Sequence, residues 1–300
     1  MKRVVFLLLL GAVLVSPAAL TARFTAATVP LALPPVTLHV ESPVVEVPAS
    51  DPQRLAHPQG DAFLFVPGPC TPACPLVVVS HSRGMTAELS ITRPHLLAIF
   101  HALQSAGYAV LVSNDAGPTT WGAPQALTYL ADMHARATHL FPFDGHTFNL
   151  GYSMGGLPAL LTAYSGVYPV SGVMLLDAQV NLDDAWRGGN PTFMADIAAA
   201  HGVTPRGTLP PGRDPARDYP GAGAALPMLV MGSAADSAVS FARNGEVLFE
   251  DNVIPESRLL HLDGPHLGGS HFGSGVVSEM LAFLERVRRS QDTLSGSGLP

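Results

Sequence analysis

Thr147-Phe148-Asn149-Leu150-Gly151-Tyr152-Ser153-Met154-Gly155-Gly156-Leu157-Pro158-Ala159-Leu160 is the stretch whose reading decides the fold. Residues 147–150 have the aromatic and apolar character of a short buried strand. Residues 154–164, rich in Ala and Leu, predict a helix. Between them lies Gly151-x-Ser153-x-Gly155. A serine at such a junction sits on a tight, strained turn, and the flanking glycines let the helix pack closely against the strand. The helix N-terminus beneath it also stabilises developing negative charge. The pattern predicts a nucleophilic serine at 153.

Outward from this turn, strands and helices alternate. On the N-terminal side, strands are predicted at Asp61–Val66, Leu76–Val79 and Tyr108–Val112, and helices at Pro94–Ala106 and Pro124–His139. On the C-terminal side come strands at Val173–Leu176, Met228–Met231 and Arg258–Leu262, with helices at Val239–Glu250 and Val276–Arg289. Such alternation implies a mostly parallel, doubly wound α/β sheet with ligands at the strands' C-terminal ends. Residues 182–226 interrupt the rhythm. They are rich in Gly, Pro and Asp, carry one weak helical pattern at Thr192–Ala200, and predict a cap or lid insertion within a catalytic domain of residues 23–290. The tail, residues 291–300, is expected to be disordered.

The N-terminus reads as an export signal. Met1-Lys2-Arg3 is followed by an apolar run from Val4 to Val15 and then Ser16-Pro17-Ala18-Ala19-Leu20-Thr21-Ala22, so residues 1–22 form a signal-peptide pattern with a small-residue cleavage zone. The run is shorter than the ~20 apolar residues that span a bilayer, so no stable membrane span is expected after cleavage. A secreted or periplasmic protein follows. The Pro-rich segment beyond it carries an extended-looking run, Val36–Val47. Cys70 and Cys74, in a Pro-rich turn between two strands, then read as a local disulfide of an exported chain.

Composition removes other chemistries. Of 300 residues 47% are hydrophobic and 13% charged, enough for a large core. Lys2 is the single lysine, so there is no Schiff-base lysine and no Walker-A loop. Two cysteines cannot make a four-cysteine metal site. A net charge of −7 argues against nucleic-acid partners. His261, His266 and His271 are each five apart, which suits neither a helix nor a strand face. Neither metal nor cofactor is expected.

With the elbow Gly151-Tyr152-Ser153-Met154-Gly155-Gly156, the stretches Phe63-Leu64-Phe65-Val66-Pro67 and Pro75-Leu76-Val77-Val78-Val79-Ser80-His81 resemble the α/β-hydrolase superfamily over roughly residues 60–290. More narrowly, the chain is similar to exported bacterial esterases of the dienelactone-hydrolase-like and platelet-activating-factor-acetylhydrolase-like groups. Ser-Met-Gly-Gly is also seen in cutinase-like polyester hydrolases. Two departures stand out: His81-Ser82-Arg83-Gly84 replaces the usual His-Gly-x-Gly, and the nucleophile is serine where dienelactone hydrolases use cysteine.

The resemblance implies the chain order serine, acid, histidine. Asp236, after the Met228–Met231 strand, is the preferred acid, and Asp177, after Val173–Leu176, is the alternative. His266, in a short Gly-x-His turn, is the preferred base over His271, while His261 lies within the last strand. The oxyanion hole would use the Met154 N–H and one from the loop after the third strand, at Arg83. Trp121, following the strand that ends at Val112, is expected on the catalytic face, walling a substrate group or packing against the cap. The implied activity is hydrolysis of small-molecule carboxylic esters through an acyl-enzyme. The alternatives are acyl transfer, thioester or polyester hydrolysis on the same triad, and a non-catalytic binding protein on a hydrolase fold.

Overall fold

The computed structural model describes residues 51–205, 207–219, 221 and 226–296. The signal-peptide pattern and the extended run Val36–Val47 lie outside the described residues. The strands are β1 (Gln53–Leu55), β2 (Ala62–Phe65), β3 (Cys74–Ser80), β4 (Ala109–Val112), β5 (Phe143–Tyr152), β6 (Gly172–Leu176), β7 (Met228–Ser233) and β8 (Arg258–Leu262). Around them run helices α1 (Ala87–Ser90), α2 (Pro94–Ser105), α3 (Pro124–Thr138), α4 (Gly156–Tyr164), α5 (Leu182–Arg187), α6 (Pro191–His201), α7 (Pro215–Asp218), α8 (Gly245–Phe249) and α9 (Ser274–Gly296).

The strands form one eight-stranded sheet in the order β1-β2-β4-β3-β5-β6-β7-β8. β1 and β2 pair antiparallel at one edge, and every pairing from β4 to β8 is parallel. The strand order reverses at β3, which lies between β4 and β5. A crevice therefore opens at the C-terminal ends of β3 and β5.

Alternation along each strand decides which helices cover which face. Val77, Val79, Phe148, Leu150, Met174, Leu176, Leu229 and Met231 point one way, onto Ile99, Phe100 and Leu103 of α2 and Met280, Phe283 and Leu284 of α9. Leu76, Val78 and Leu111 point the other way, onto Tyr129, Leu130 and Met133 of α3. Val173, Leu175, Met228 and Val230 meet Leu160 of α4 and Leu248 of α8 on that same side. Burying each such side chain contributes about 1.5–3 kcal/mol. Both α2 and α3 open with proline at the first helical position, where no N–H is needed and φ is already helical.

Four expectations change. β5 begins at Phe143, four residues before Thr147, because its first residues continue beside Cys74 of β3 across a register shift. The helix expected over Val239–Glu250 is broken: a 3-10 turn at Phe241–Arg243 ends at Asn244, whose φ of −123° and ψ of −84° are not helical. The Asn244 side chain is the cause, since its Oδ1 accepts N–H bonds from Gln179 (Nε2), Val180 and Asn181. The described residues of 182–226 hold three helices, α5 to α7, rather than one. Finally, the tail expected to be disordered from residue 291 is helical as far as Gly296. No proline or glycine interrupts it between Gly275 and Gly296. The Cys70 and Cys74 sulfurs are bonded, with Cα atoms 5.4 Å apart.

Candidate active site

Ser153 follows β5 directly and begins a 3-10 turn, Ser153–Gly155, that leads into α4. Its φ is +52°. A Cβ at Gly155 would strike the Ser80 carbonyl of β3, and one at Gly151 would strike the Gly155 backbone. Only glycine permits that closeness. The other non-glycine residues with positive φ among the described residues are Asp115, Ala116, Trp121, Asp177 and Leu267. All lie in loops at the C-terminal ends of β4, β6 and β8, in the same end of the sheet as Ser153. Local strain is concentrated where the topology opens its crevice.

The structure brings Ser153, His266 and Asp236 into one hydrogen-bonded chain. His266 Nε2 lies 2.9 Å from Ser153 Oγ, and its Nδ1 lies 2.6 Å from Asp236 Oδ2. A carboxylate at Nδ1 fixes the proton there, which leaves Nε2 free to accept the serine hydroxyl. Asp236 is held in turn: its Oδ1 accepts the N–H groups of Ala238 and Val239 at 2.8 and 2.9 Å. Its side chain is 1% exposed, whereas that of His266 is 20% exposed and faces the opening.

The alternative acid and the alternative base turn out to be partners of each other. Asp177 Oδ2 lies 2.6 Å from His271 Nδ1, and both side chains are fully buried. The same oxygen accepts the Leu267 N–H at 2.7 Å, one residue beyond His266. His261 is exposed on β8, its ring against Phe241. The donor atoms of Asp177, Asp236 and His266 lie within 4.8 Å of one another. That closeness follows from the Asp236–His266 bond together with the neighbouring end of β6.

The loop after β3 is braced from within. The buried His81 ring bridges Ser82 O at 2.8 Å and Asn114 O at 3.1 Å. Asp115, also buried, accepts from Ser80 Oγ, Ser113 Oγ and the His81 N–H. Sequence reasoning missed Asp115, whose signal was a lone acid in the loop just beyond the strand that ends at Val112. The Arg83 side chain is engaged within the protein: Nε donates to Asp196 of α6 at 2.5 Å, and the guanidinium lies over the Phe193 ring at 5.7 Å.

A nucleophile turn after β5, an acid after β7 and a histidine after β8, on a sheet whose order reverses at β3, settle the architecture. The chain has the α/β-hydrolase fold. No family model and no curated protein matches the sequence. Solved structures do. Est1E from Butyrivibrio proteoclasticus is 17% identical with a TM-score of 0.59, over 80% of this chain and 100% of that one. The Staphylococcus aureus fluorophosphonate-binding serine hydrolase FphF is 15% identical with a TM-score of 0.59, over 79% and 97%. The Pyrococcus furiosus esterase Pf2001 is 17% identical with a TM-score of 0.58, over 79% and 91%.

In this α/β-hydrolase fold a cavity of about 230 Å³ opens beside Ser153. Met154 and Arg83, the expected oxyanion donors, both line it, as does Trp121. Trp121 also packs into an apolar cluster with Leu182, Trp186 and Ile197 of the segment between β6 and β7. Phe193 and Gln179 line the cavity without having been singled out. Phe193 sits 5.0 Å, centroid to centroid, from Trp121. The Trp121 carbonyl is bonded by His201 Nε2 at 3.1 Å, and burial pushes that imidazole's pKa below its ordinary value. Among the described residues no helix is long and apolar enough to cross a membrane.

Proposed function

We propose that the protein is a serine carboxylesterase acting through Ser153, His266 and Asp236. The observation that carries the reading is the continuous hydrogen-bonded chain from Asp236 through His266 to the Ser153 hydroxyl at the mouth of an apolar cavity. His266 Nε2 removes the hydroxyl proton as Ser153 attacks the ester carbonyl. Asp236 holds the imidazole in that tautomer and stabilises the imidazolium. The alcohol leaves with the proton from His266, and water activated by the same nitrogen releases the acid. The Met154 and Arg83 N–H groups are the proposed oxyanion donors, each contributing about 3 kcal/mol to the transition state.

A cavity of about 230 Å³ walled by Trp121 and Phe193 suits a short acyl chain or a single aromatic ring. Esterase names among the structural neighbours support the reaction class, and one form of Est1E, 16% identical with a TM-score of 0.56, holds ferulic acid. The test is turnover of short p-nitrophenyl and cinnamoyl esters by the wild type and Ser153→Ala. Loss of turnover in a folded variant is expected, and undiminished turnover sinks the assignment.

The segment between β6 and β7 is proposed as a cap over this cavity, since it supplies Phe193 and the Asp196 partner of Arg83. Export to the periplasm or medium is proposed from Met1–Ala22. It predicts a mature N-terminus after Ala18, Ala19 or Ala22, and protein that stays in the cytoplasm with Met1 intact would overturn it.

A further inference from the structure

We propose that a second cavity, sharing a wall with the one beside Ser153, is the alcohol subsite of this esterase and takes an uncharged, polyhydroxylated group, a sugar or polyol. The inference deepens, and rests on, the reading of Ser153 as an esterase nucleophile.

The second cavity, of about 360 Å³, has Gln179, Phe193 and Ala238 in common with the first. That size suits a small-molecule site. The two differ in chemistry. Ser82, Arg83 and Trp121 line only the first, whereas Asp184, Asn190, Ser237 and Arg243 line only the second. Ala238 is tied to the catalytic acid, since Asp236 Oδ1 accepts its N–H at 2.8 Å. The second cavity therefore adjoins the Asp236–His266 arm, which returns a proton to the leaving alcohol. The acyl group keeps the apolar walls of Trp121 and Phe193.

Hydrogen-bonding capacity decides what fits. Gln179 is only 2% exposed. Its Nε2 donates to the Asn181 carbonyl and to Asn244 Oδ1, and two acceptors at that end fix the orientation of the amide. Both N–H groups are thus committed, and Oε1 accepts no bond among the described residues. Asp184 and Arg243 form a pair, Oδ1 to Nε at 2.6 Å, so these two leave no net charge on the lining. An anion would meet the carboxylate and a cation the guanidinium. Asn190 Oδ1 already accepts the N–H groups of Thr192 and Phe193 at the start of α6. Its Nδ2, the terminal nitrogens of Arg243 and the Ser237 hydroxyl have no partner among the described residues. Donors and acceptors side by side match hydroxyl groups, each of which does both. An alkyl group there would strip these atoms of water and return no hydrogen bond. The reaction is the ester hydrolysis described above: the acyl carbon–oxygen bond breaks, and the sugar oxygen leaves with the His266 proton.

Two acetates with the same acyl group test the idea, methyl glucoside acetylated at its primary hydroxyl and its apolar counterpart cyclohexylmethyl acetate. Acetate release by the wild type should show kcat/KM about tenfold higher for the sugar ester. The readout in variants is the ratio of the two kcat/KM values, because a change in Ser153 chemistry moves both equally. Ser237→Ala removes the hydroxyl. Asn190→Asp keeps the oxygen that caps α6 and loses the Nδ2 donor. Both side chains are exposed, so neither change opens the core. Each should lower the ratio about fivefold. Equal kcat/KM for the two acetates, or a ratio unmoved in both variants, overturns the subsite while turnover of p-nitrophenyl acetate upholds the esterase. A wild type inert to every ester sinks the esterase reading instead. The subsite is then decided by titrating Ser153→Ala with methyl glucoside and following amide resonances: saturable shifts at Ser237 and Ala238 support it, and none overturn it.

Discussion

Ser153, Asp177 and Leu267 share a left-handed backbone, with φ of 52°, 44° and 49°, that side-chain-bearing residues adopt only when surrounding contacts hold them. Each presents a specific atom: the hydroxyl of Ser153, the carboxylate of Asp177 and the N–H of Leu267. The two carboxylates near His266 therefore have separable duties. Replacing Asp236 by Asn removes the acceptor at Nδ1 and frees the imidazole to adopt the wrong tautomer, so kcat should fall about 10⁴-fold with little change in KM. Asp177→Asn can still accept the Leu267 N–H and should cost far less. Steady-state kinetics on a p-nitrophenyl ester compare them, and a larger loss at Asp177 would exchange the roles. Likewise, His266→Ala should abolish Ser153 labelling, whereas His271→Ala should retain some. The serine was legible from its spacing. The choice between two acids and two bases was not, because each candidate stands at a strand end and only packing shows which faces the serine.

Elements around the site are joined by a few side chains whose loss has a definite direction. Asn244 stops a helix and accepts three N–H groups from the loop after β6. Asn244→Ala leaves those donors buried and unpaired, and should cost about 2–4 kcal/mol in denaturant unfolding. A change below 1 kcal/mol would mean that water replaces the amide. Sequence periodicity predicted an unbroken helix there, since an asparagine that turns its side chain into another loop leaves no periodic trace. The Arg83–Asp196 bond, with Phe193 beneath the guanidinium, ties the loop after β3 to α6. In Asp196→Asn that tie weakens. KM for bulkier acyl groups is expected to fall relative to acetyl, and an unchanged acyl preference would show that α6 does not limit the cavity.

Across the whole molecule, stability should depend on buried neutral histidines. Burial holds His134 at about 4, below its ordinary 6.5, with its ring stacked 4.1 Å from Tyr168 and bonded to Thr147 Oγ1. The unfolded chain takes up a proton near pH 6.5 that the folded chain refuses until about 4, so unfolding is favoured as pH falls through that window. The contribution is fully present above pH 6.5 and lost on approaching pH 4, amounting to about 3 kcal/mol for His134. The melting temperature should therefore drop between pH 7 and 4.5, and His134→Gln should flatten that drop. An equal slope in the variant would place the effect elsewhere, His201 being the next candidate because burial lowers it too.

The sequence by itself determined the class of sheet and the nucleophile turn. Those properties are local: hydrophobic period, glycine spacing and residue type are written in neighbouring positions. Only the tertiary structure decided that Asp236 meets His266 while Asp177 meets His271, that Arg83 bonds Asp196, and that helices α5, α6 and α7 lie among the described residues between β6 and β7. Each of those depends on partners 30 to 113 residues apart or on buried polar atoms finding acceptors, and such contacts exist only once the sheet has closed around its core.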